Sequence, residues 1–541
     1  MGLGILEPTS TQPVPGTVAL GEQAAEPANG EAHLKKGTGR YKDIILSPQP
    51  SNDPNDPLNW PYYQKVAILL IIVFGACICV CCTGPLLNSS FYVLSIELGR
   101  SFADLTLTSG YQILVAAVTG PFVSALSAKY GKRPVLLFSS VACLIGTIIG
   151  SCAKTYDTLL AGRVIQGFCL AAWESLPFTI VGDLFFIHER GLWTNVISFT
   201  LTAVSNLSSV ITGRIVIETN WHYLFHILNG CIGLVILLQF FFIPETSYRR
   251  ITVVRHHVPA PPESDKEGQA IDISQVENNQ SGDQVLKNSY LQSLALFTGT
   301  YNDKTLVHLL LSPFAVCTNV GALWTVVMTG AVSSFYVGMA YVTAQLFGPP
   351  PYQLSTAGIG NLSLGPFLGG AIGSLLAGLL MDPLSLWLVK KNNGIYEPEF
   401  RLPLNVVGLC CGAGLIGFGA LIKAEGNLYA IVFMWGLTIF GITFIIGPCS
   451  AYAIDAYHEL SNEIFILGIM FKNFLFYGYS YFMNNWVADA GAAIPFYTFA
   501  GITFGLVGSA FIVYVFGKRY RSFWDHHNLA KKFSLDATTQ L

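Results

Sequence analysis

The chain has 541 residues, of which 52% are hydrophobic and only 11% charged. Soluble domains carry about 25% charged residues, so this chain could not cover its own surface in water, which excludes an ordinary soluble enzyme and a disordered scaffold. Its 29 basic and 32 acidic residues leave a net charge of −3, which excludes the strong basic field of a nucleic-acid-binding protein. The class that remains is a polytopic membrane protein.

In chain order, residues 1–60 are rich in Pro, Gly, Ala and Glu and lack an apolar core. They read as a disordered cytosolic tail with no signal peptide. A bilayer span needs about 20 mostly apolar residues. Such runs fall at 66–88, 106–128, 134–153, 158–182, 192–213 and 222–243, then at 314–345, 355–381, 403–423, 428–452, 464–486 and 494–516. Residues 61–243 and 311–517 are therefore expected to form two six-helix bundles of an all-α membrane protein. The polar insert between them, 244–310, carries Pro259-Ala260-Pro261-Pro262 and acidic stretches, which suit a cytosolic linker. Residues 518–541 read as a cytosolic C-terminal tail.

Lys and Arg near the span ends set the orientation. Lys129, Lys132, Arg133, Arg190, Lys390, Lys391, Arg401 and Lys518 fall in loops on the side of the N-terminus, against Arg100, Lys154, Arg214 and Lys423 on the other. Both termini are expected in the cytosol, with the plasma membrane as the expected location. The halves also echo each other. Gly120-Pro121-Phe122 in span 2 matches Gly365-Pro366-Phe367 in span 8, and Pro177 and Asp183 in span 4 match Pro448 and Asp455 in span 10. Repeated six-span halves are an architecture of secondary transporters.

Ionisable residues inside spans cost about 2.5–3.5 kcal/mol each on insertion scales and mark function when they occur. Arg163 and Glu174 lie 11 residues apart in span 4, about three turns, and so share one helix face. Glu174 is a candidate to bind a proton or a cationic group, with Arg163 positioning or discharging it; a structural ion pair between the two is the bland alternative. Lys472, next to Asn473 in span 11, needs an acidic or carbonyl partner or must snorkel to the interface. Asp183 and Asp455 end spans 4 and 10 and read as gate or structural charges. Span 5 carries a stripe of Ser198, Thr202, Ser205, Ser209 and Thr212 with Asn206 nearby, which suits a wet path or helix packing. Tyr336 and Tyr341 in span 7 and Tyr477, Tyr479 and Tyr481 in span 11 offer rings for planar or cationic molecules, or an interfacial belt. Gly365, Gly369 and Gly373 suggest close contact at the interface between halves. The 12 cysteines fall in apolar runs, with no disulfide framework and no zinc spacing, and are expected to be packing residues. No Walker loop, nucleophile elbow or His-Glu-x-x-His motif occurs, so neither an enzyme nor an ATP-driven pump is indicated, and no cofactor or metal is expected.

Several motifs in sequence order resemble the major facilitator superfamily, in particular its fungal twelve-span drug:proton antiporter-like branch, over about residues 53–520. Asp56-Pro57-Leu58-Asn59-Trp60-Pro61 precedes span 1, and Tyr130-Gly131-Lys132-Arg133-Pro134 is similar to the loop 2–3 signature. Gly162-Arg163-Val164-Ile165-Gln166-Gly167 looks like the span 4 signature, Pro244-Glu245-Thr246 the usual end of span 6, and Tyr452-Ala453-Ile454-Asp455 a span 10 pattern. The chain departs from the family at Ser124 and Ala128, where the loop 2–3 signature has Gly and Asp, and in span 5, which lacks the Gly-Pro antiporter signature. Gly378 and Asp382 keep the Gly–Asp spacing in the second half. The resemblance implies two six-helix bundles, a midplane cavity and alternating access by a monomer in the bilayer. It implies a substrate and proton pathway drawn from Arg163, Gln166, Glu174, Asn206, Tyr336, Lys472 and Tyr477. Gating residues would be Gly131, Lys132, Arg133, Asp183, Asp382 and Asp455. The implied function is proton-coupled movement of a small organic molecule, with efflux of a secondary metabolite or toxic compound as the leading version. Proton-symport uptake of a cationic nutrient such as a polyamine is the alternative, and a non-transporting membrane sensor a third.

Overall fold

The computed structural model describes residues 3–8, 14–19, 51, 53–248, 289–297 and 299–527. Twelve long helices occur in this range. In the first half, α1 runs Tyr62–Ala76 and continues as a π-helical turn, Cys77–Cys82; α2 is Phe102–Tyr130, α3 Lys132–Ser151 and α4 Tyr156–Leu184. Helix α5 joins Ile187–Phe199, a second π-helical turn at Thr200–Val204, and Ser205–Glu218; α6 is Trp221–Phe242. In the second half, α7 is Val320–Phe347, α8 joins Thr356–Leu362 to Leu364–Lys391, and α9 joins the 3-10 segment Pro398–Gly408 to Leu409–Lys423. Helices α10, α11 and α12 are Leu428–Ala456, Ser461–Ala490 and Ala493–His526.

Eleven of these are long and apolar enough to cross a membrane. The exception is α11, 30 residues long but bearing Glu463, Lys472 and Asp489. It is central rather than peripheral, lying against α2 and α7, which is where a polar helix avoids lipid. Side chains exposed on the outer surface, such as Phe138, Leu237, Leu375, Leu379, Phe433 and Phe511, are apolar, as a lipid-facing surface requires. Each half has its own apolar core: Leu69, Trp173, Trp221 and Phe225 belong to the first, and Phe335, Phe418, Trp435 and Phe496 to the second.

Local chemistry explains the element boundaries. Ser101 and Asp104 form a capping box at the start of α2, and Thr155 caps α4. Asn319 caps α7 by accepting from the Ala322 N–H at 3.0 Å, so span 7 starts at 320, not at 314. Residues Leu306–Thr318 form a separate short apolar helix. Helix α8 reaches Lys391, ten residues beyond the expected end of span 8, and so holds Asp382 within a helix rather than after one.

Two further expectations change. The N-terminal segments at 3–8 and 14–19 are not free of structure: Leu6 N–H donates to the Val515 carbonyl at 3.0 Å, and Val18–Ala19 pairs antiparallel with Ile395–Tyr396. Lys518 bridges Glu7 (2.6 Å) and Glu397 (2.7 Å), so charge pairing holds the first segment on the second half. Most of the linker, 249–288, lies outside the described residues. The α8 glycines do not serve the interface between halves. A Cβ on Gly369 would overlap the Gly436 carbonyl, and one on Gly365 the Val432 carbonyl, so they bring α8 onto α10 within the second half.

The halves meet where α2 packs on α11 and α5 on α8. At the end away from Lys132 and Arg401 this seam is closed by small contacts. Asn484 donates to Thr106 at 2.9 Å, Gly110 lies against Ser480, and Gly360 against the Ser209 backbone.

Candidate functional site

Glu174 and Lys472 form an ion pair across the two halves. Trp173 explains how Glu174 is aimed. The Trp173 indole is fully buried, lies against Gly75 of α1 and donates to Ser140 of α3 at 3.0 Å. The next residue along α4 is turned away from that core, toward α11. Pro177, three residues on, removes a backbone donor within the same stretch of α4. On α11, Lys472 donates to Glu174 Oε1, and Asn473 Nδ2 donates to Oε2 at 3.3 Å. The Lys472 ammonium also lies 5.4 Å from the Phe476 ring centroid. The lysine is 19% and the glutamate 15% exposed, so the pair is sheltered yet reachable by water. One turn or so along α11, the Tyr477 ring sits 5.6 Å from Tyr111 of α2, again across the seam.

Arg163 does not join this group. Eleven residues of helix place it about 16 Å from Glu174 along α4, too far for either the positioning role or the bland ion pair. Arg163 is instead fully buried inside the first half. It donates to the Thr83 carbonyl at 2.7 Å and to Gln166 Oε1 at 3.2 Å, while Gln166 donates to Thr147 at 2.8 Å. The signature glycines explain the fit: Gly162 touches the α3 backbone at Gly146 and Gly150, and Gly167 touches the α2 backbone at Gln112. Arg163 and Gln166 thus tie α1, α3 and α4 together.

Asn206 and Tyr336 form a second contact across the halves, the phenol donating to Asn206 Oδ1 at 2.7 Å. They line a cavity of about 20 Å³ with Ser89, Ser209, Thr343 and Trp435, room for about one water. Of the rest of the span 5 stripe, Thr212 is packed, reaching Ser89 at 3.2 Å with both buried, while Ser198, Thr202 and Ser205 are partly buried.

The charges at the basic end are paired within each half. Lys132 pairs with Asp183 and donates to the Thr179 carbonyl at 3.0 Å. Arg133 is 1% exposed and donates to the Phe240 carbonyl at 2.8 Å. Gly131 has φ +96°, and a Cβ there would overlap the Glu245 carboxylate. Glu245 accepts from the Lys132 and Arg133 N–H groups at 3.0 Å each, which caps α3. It supplies an acid in the loop where Ala128 left none, a role the sequence motif did not disclose. In the second half, Asp455 accepts from Arg401 at 2.6 Å and from Tyr396 at 2.5 Å, and Asp382 lies 3.5 Å from Arg401. Burial first, and then the Asp455 carboxylate, push the Tyr396 phenol well above its ordinary value. The Lys132–Asp183 pair lies within the first half and the Arg401–Asp455 pair within the second.

Two polytopic half-bundles, sealed at one end and sharing an ion pair at mid-depth, define a carrier rather than a catalyst. The chain belongs to the Major Facilitator Superfamily: that family's model matches residues 69–471. It is similar to an uncharacterised MFS-type transporter of Schizosaccharomyces pombe, 24% identical across 94% of this chain and 92% of that protein. It is also similar to a probable drug/proton antiporter of Saccharomyces cerevisiae, 24% identical across 74% of each. Among solved structures, the proton:xylose symporter XylE shares the fold, with a TM-score of 0.57 and 11% identity over 86% of this chain and all of that one. The protein is therefore a multi-pass membrane transporter of small molecules and not an enzyme.

Proposed function

We propose that the chain is a proton-coupled secondary transporter of small organic molecules, most directly an exporter of a secondary metabolite or toxic compound, working by alternating access. The observation that carries the reading is the Glu174–Lys472 pair. It joins the halves at mid-depth, is partly exposed, and consists of groups whose attraction changes when Glu174 takes up a proton. Protonating Glu174 removes the charge that holds Lys472 and loosens the seam between α4 and α11. Losing the proton restores it. Asn473 orients the carboxylate, and the Tyr111–Tyr477 pair offers aromatic faces beside the path. The closed Thr106–Asn484 end and the separate ion-pair groups at the other end are consistent with a state facing the basic side. With cytosolic termini and a plasma-membrane location, that side is the cytosol, where an exporter loads.

Support for export comes from the similarity to the probable drug/proton antiporter. Uptake of an organic cation by proton symport is the second reading, favoured by the partly exposed carboxylate of Glu174 and by the absence of Gly-Pro from span 5. Comparing metabolites inside and outside cells with and without the gene decides between them. Export predicts a compound that accumulates inside the deletion strain and falls in the medium. A compound left in the medium and depleted inside would replace export by uptake. Flux of neither kind, in cells or proteoliposomes, would refute transport itself.

A further inference from the structure

Cys79, Cys143 and Cys169 come from three elements, the π-helical turn of α1, α3 and α4, and each is fully buried. Their Sγ atoms all lie within 4.8 Å of one another. Among the described residues this is the group of His, Cys, Asp and Glu side chains with ligand-like spacing. Free cysteines often serve as small apolar filling, and the sequence alone reads these three that way. Two features of the structure go further. Cys79 is presented by a π-helical turn, Cys77–Cys82, a rare conformation that occurs mostly at functional sites. Next, the fully buried Arg163 lies within electrostatic reach of Cys143 and leaves Nε and Nη2 without a hydrogen-bond partner. A buried guanidinium is costly unless an anion offsets it, and three neutral thiols provide none.

We propose that Cys79, Cys143 and Cys169 form a trigonal thiolate site for copper(I), with Arg163 as its counter-charge. Three thiolates around one ion at about 2.3 Å place their sulfurs about 4.0 Å apart, inside the observed spacing. Thiolates select copper(I) or zinc among the common ions. Zinc completes a tetrahedron with a fourth ligand from protein or water; no fourth His, Cys, Asp or Glu joins the group among the described residues, and all three cysteines are shut off from solvent. Binding is a ligand exchange. Each ligating thiol releases its proton to solvent as its sulfur–copper bond forms, and copper enters and remains as copper(I), so no electron moves. The resulting anionic cluster would offset the buried charge of Arg163, whose Nε and Nη2 have no hydrogen-bond partner. The metal clamps the turn of α1 to α3 and α4, the same three helices that Arg163 and Gln166 join. The site is independent of which molecule is carried and in which direction.

The test uses the full chain purified in detergent, loaded anaerobically with copper(I) and washed with a copper(I) chelator. Copper per chain is measured by mass spectrometry and its ligands by X-ray absorption. The proposal predicts about one copper per chain, bound by three sulfurs at about 2.3 Å, with thermal stability raised by the metal. Cys143→Ala and Cys169→Ala, checked as monodisperse and folded, should each lower retained copper at least tenfold. Cys152→Ala and Cys317→Ala, which change exposed cysteines, should retain it. Loss of copper from the wild-type chain at the chelator step would overturn the proposal. So would equal retention by the Cys143 and Cys169 variants. Four-coordinate zinc held with the same cysteine dependence would overturn the assignment to copper. If both core variants fail to fold, the absorption spectrum of the wild type decides by itself: three sulfur ligands support the site, and any other shell refutes it.

Discussion

Replacing Glu245 by alanine removes the acceptor for four backbone N–H groups: Lys132 and Arg133 at 3.0 Å each, Thr246 at 3.0 Å and Ser247 at 2.9 Å. The first two open α3, so their loss is the loss of a helix cap, about 0.5–2 kcal/mol. The carboxylate also sits at the positive end of the α3 dipole, a further contribution of about 0.3–1 kcal/mol. The turn donors of Thr246, which is buried, and Ser247, which is partly buried, bond within a single local turn and add about 0.5 kcal/mol each, at the low end for hydrogen bonds. The whole is about 2–4 kcal/mol. Glu245→Gln keeps one acceptor oxygen and loses the charge, so its cost should be about half of that. The assay is thermal unfolding in detergent followed by a thiol-reactive dye, because Cys143, Cys169 and Cys411 are buried and become reactive only on unfolding. A clear fall in Tm for Glu245→Ala and a smaller one for Glu245→Gln are expected. An alanine variant as stable as wild type, or a glutamine variant as weak as alanine, would refute the capping argument.

Lys472→Met leaves Glu174 sheltered without its cation. A fully buried pair broken this way costs about 3–5 kcal/mol, and the partial exposure of this one reduces the figure to about 1–3 kcal/mol. Joining Lys472→Met with Glu174→Gln should recover most of the loss in the same unfolding assay. Gly369→Val should destabilise by about 1–3 kcal/mol or more through overpacking against α10, whereas Gly505→Ala, where a Cβ meets no atom within 4 Å, should be near neutral. Tyr336→Phe removes one hydrogen bond across the halves, about 1 kcal/mol, read as a small drop in Tm with helical content unchanged.

Much of the fold is legible in the sequence because lipid imposes a simple rule: spans are long and apolar, and all but one of the twelve helices obey it. The exception, α11, is still a mostly apolar run at 464–486 despite Lys472. The start of span 7 is not legible in the sequence because the short Leu306–Thr318 helix before it is also apolar, and only the Asn319 cap separates them. Helical spacing places Glu174 and Arg163 on one face of span 4, and Lys472 calls for an acidic or carbonyl partner or a route to the interface. That Glu174 and Lys472 are each other's partner is not legible there, because 298 residues separate them and only the packing of α4 near α11 joins them. The Arg163–Glu174 reading failed on length: a shared face does not bring together groups three turns apart. Glu245 and the three buried cysteines were likewise invisible, since each acts across elements distant in sequence.

The most direct test of the central claim is pH-gradient-driven flux in proteoliposomes, using the compound found by the metabolite comparison. Wild type, Glu174→Gln and Lys472→Met are compared with and without the gradient. The account predicts that Glu174→Gln inserts normally and still exchanges labelled for unlabelled compound at equilibrium. It also predicts that this variant no longer accumulates the compound against its gradient when a pH difference is imposed. Gradient-driven accumulation at the wild-type level in Glu174→Gln would contradict the role of the Glu174–Lys472 pair in coupling.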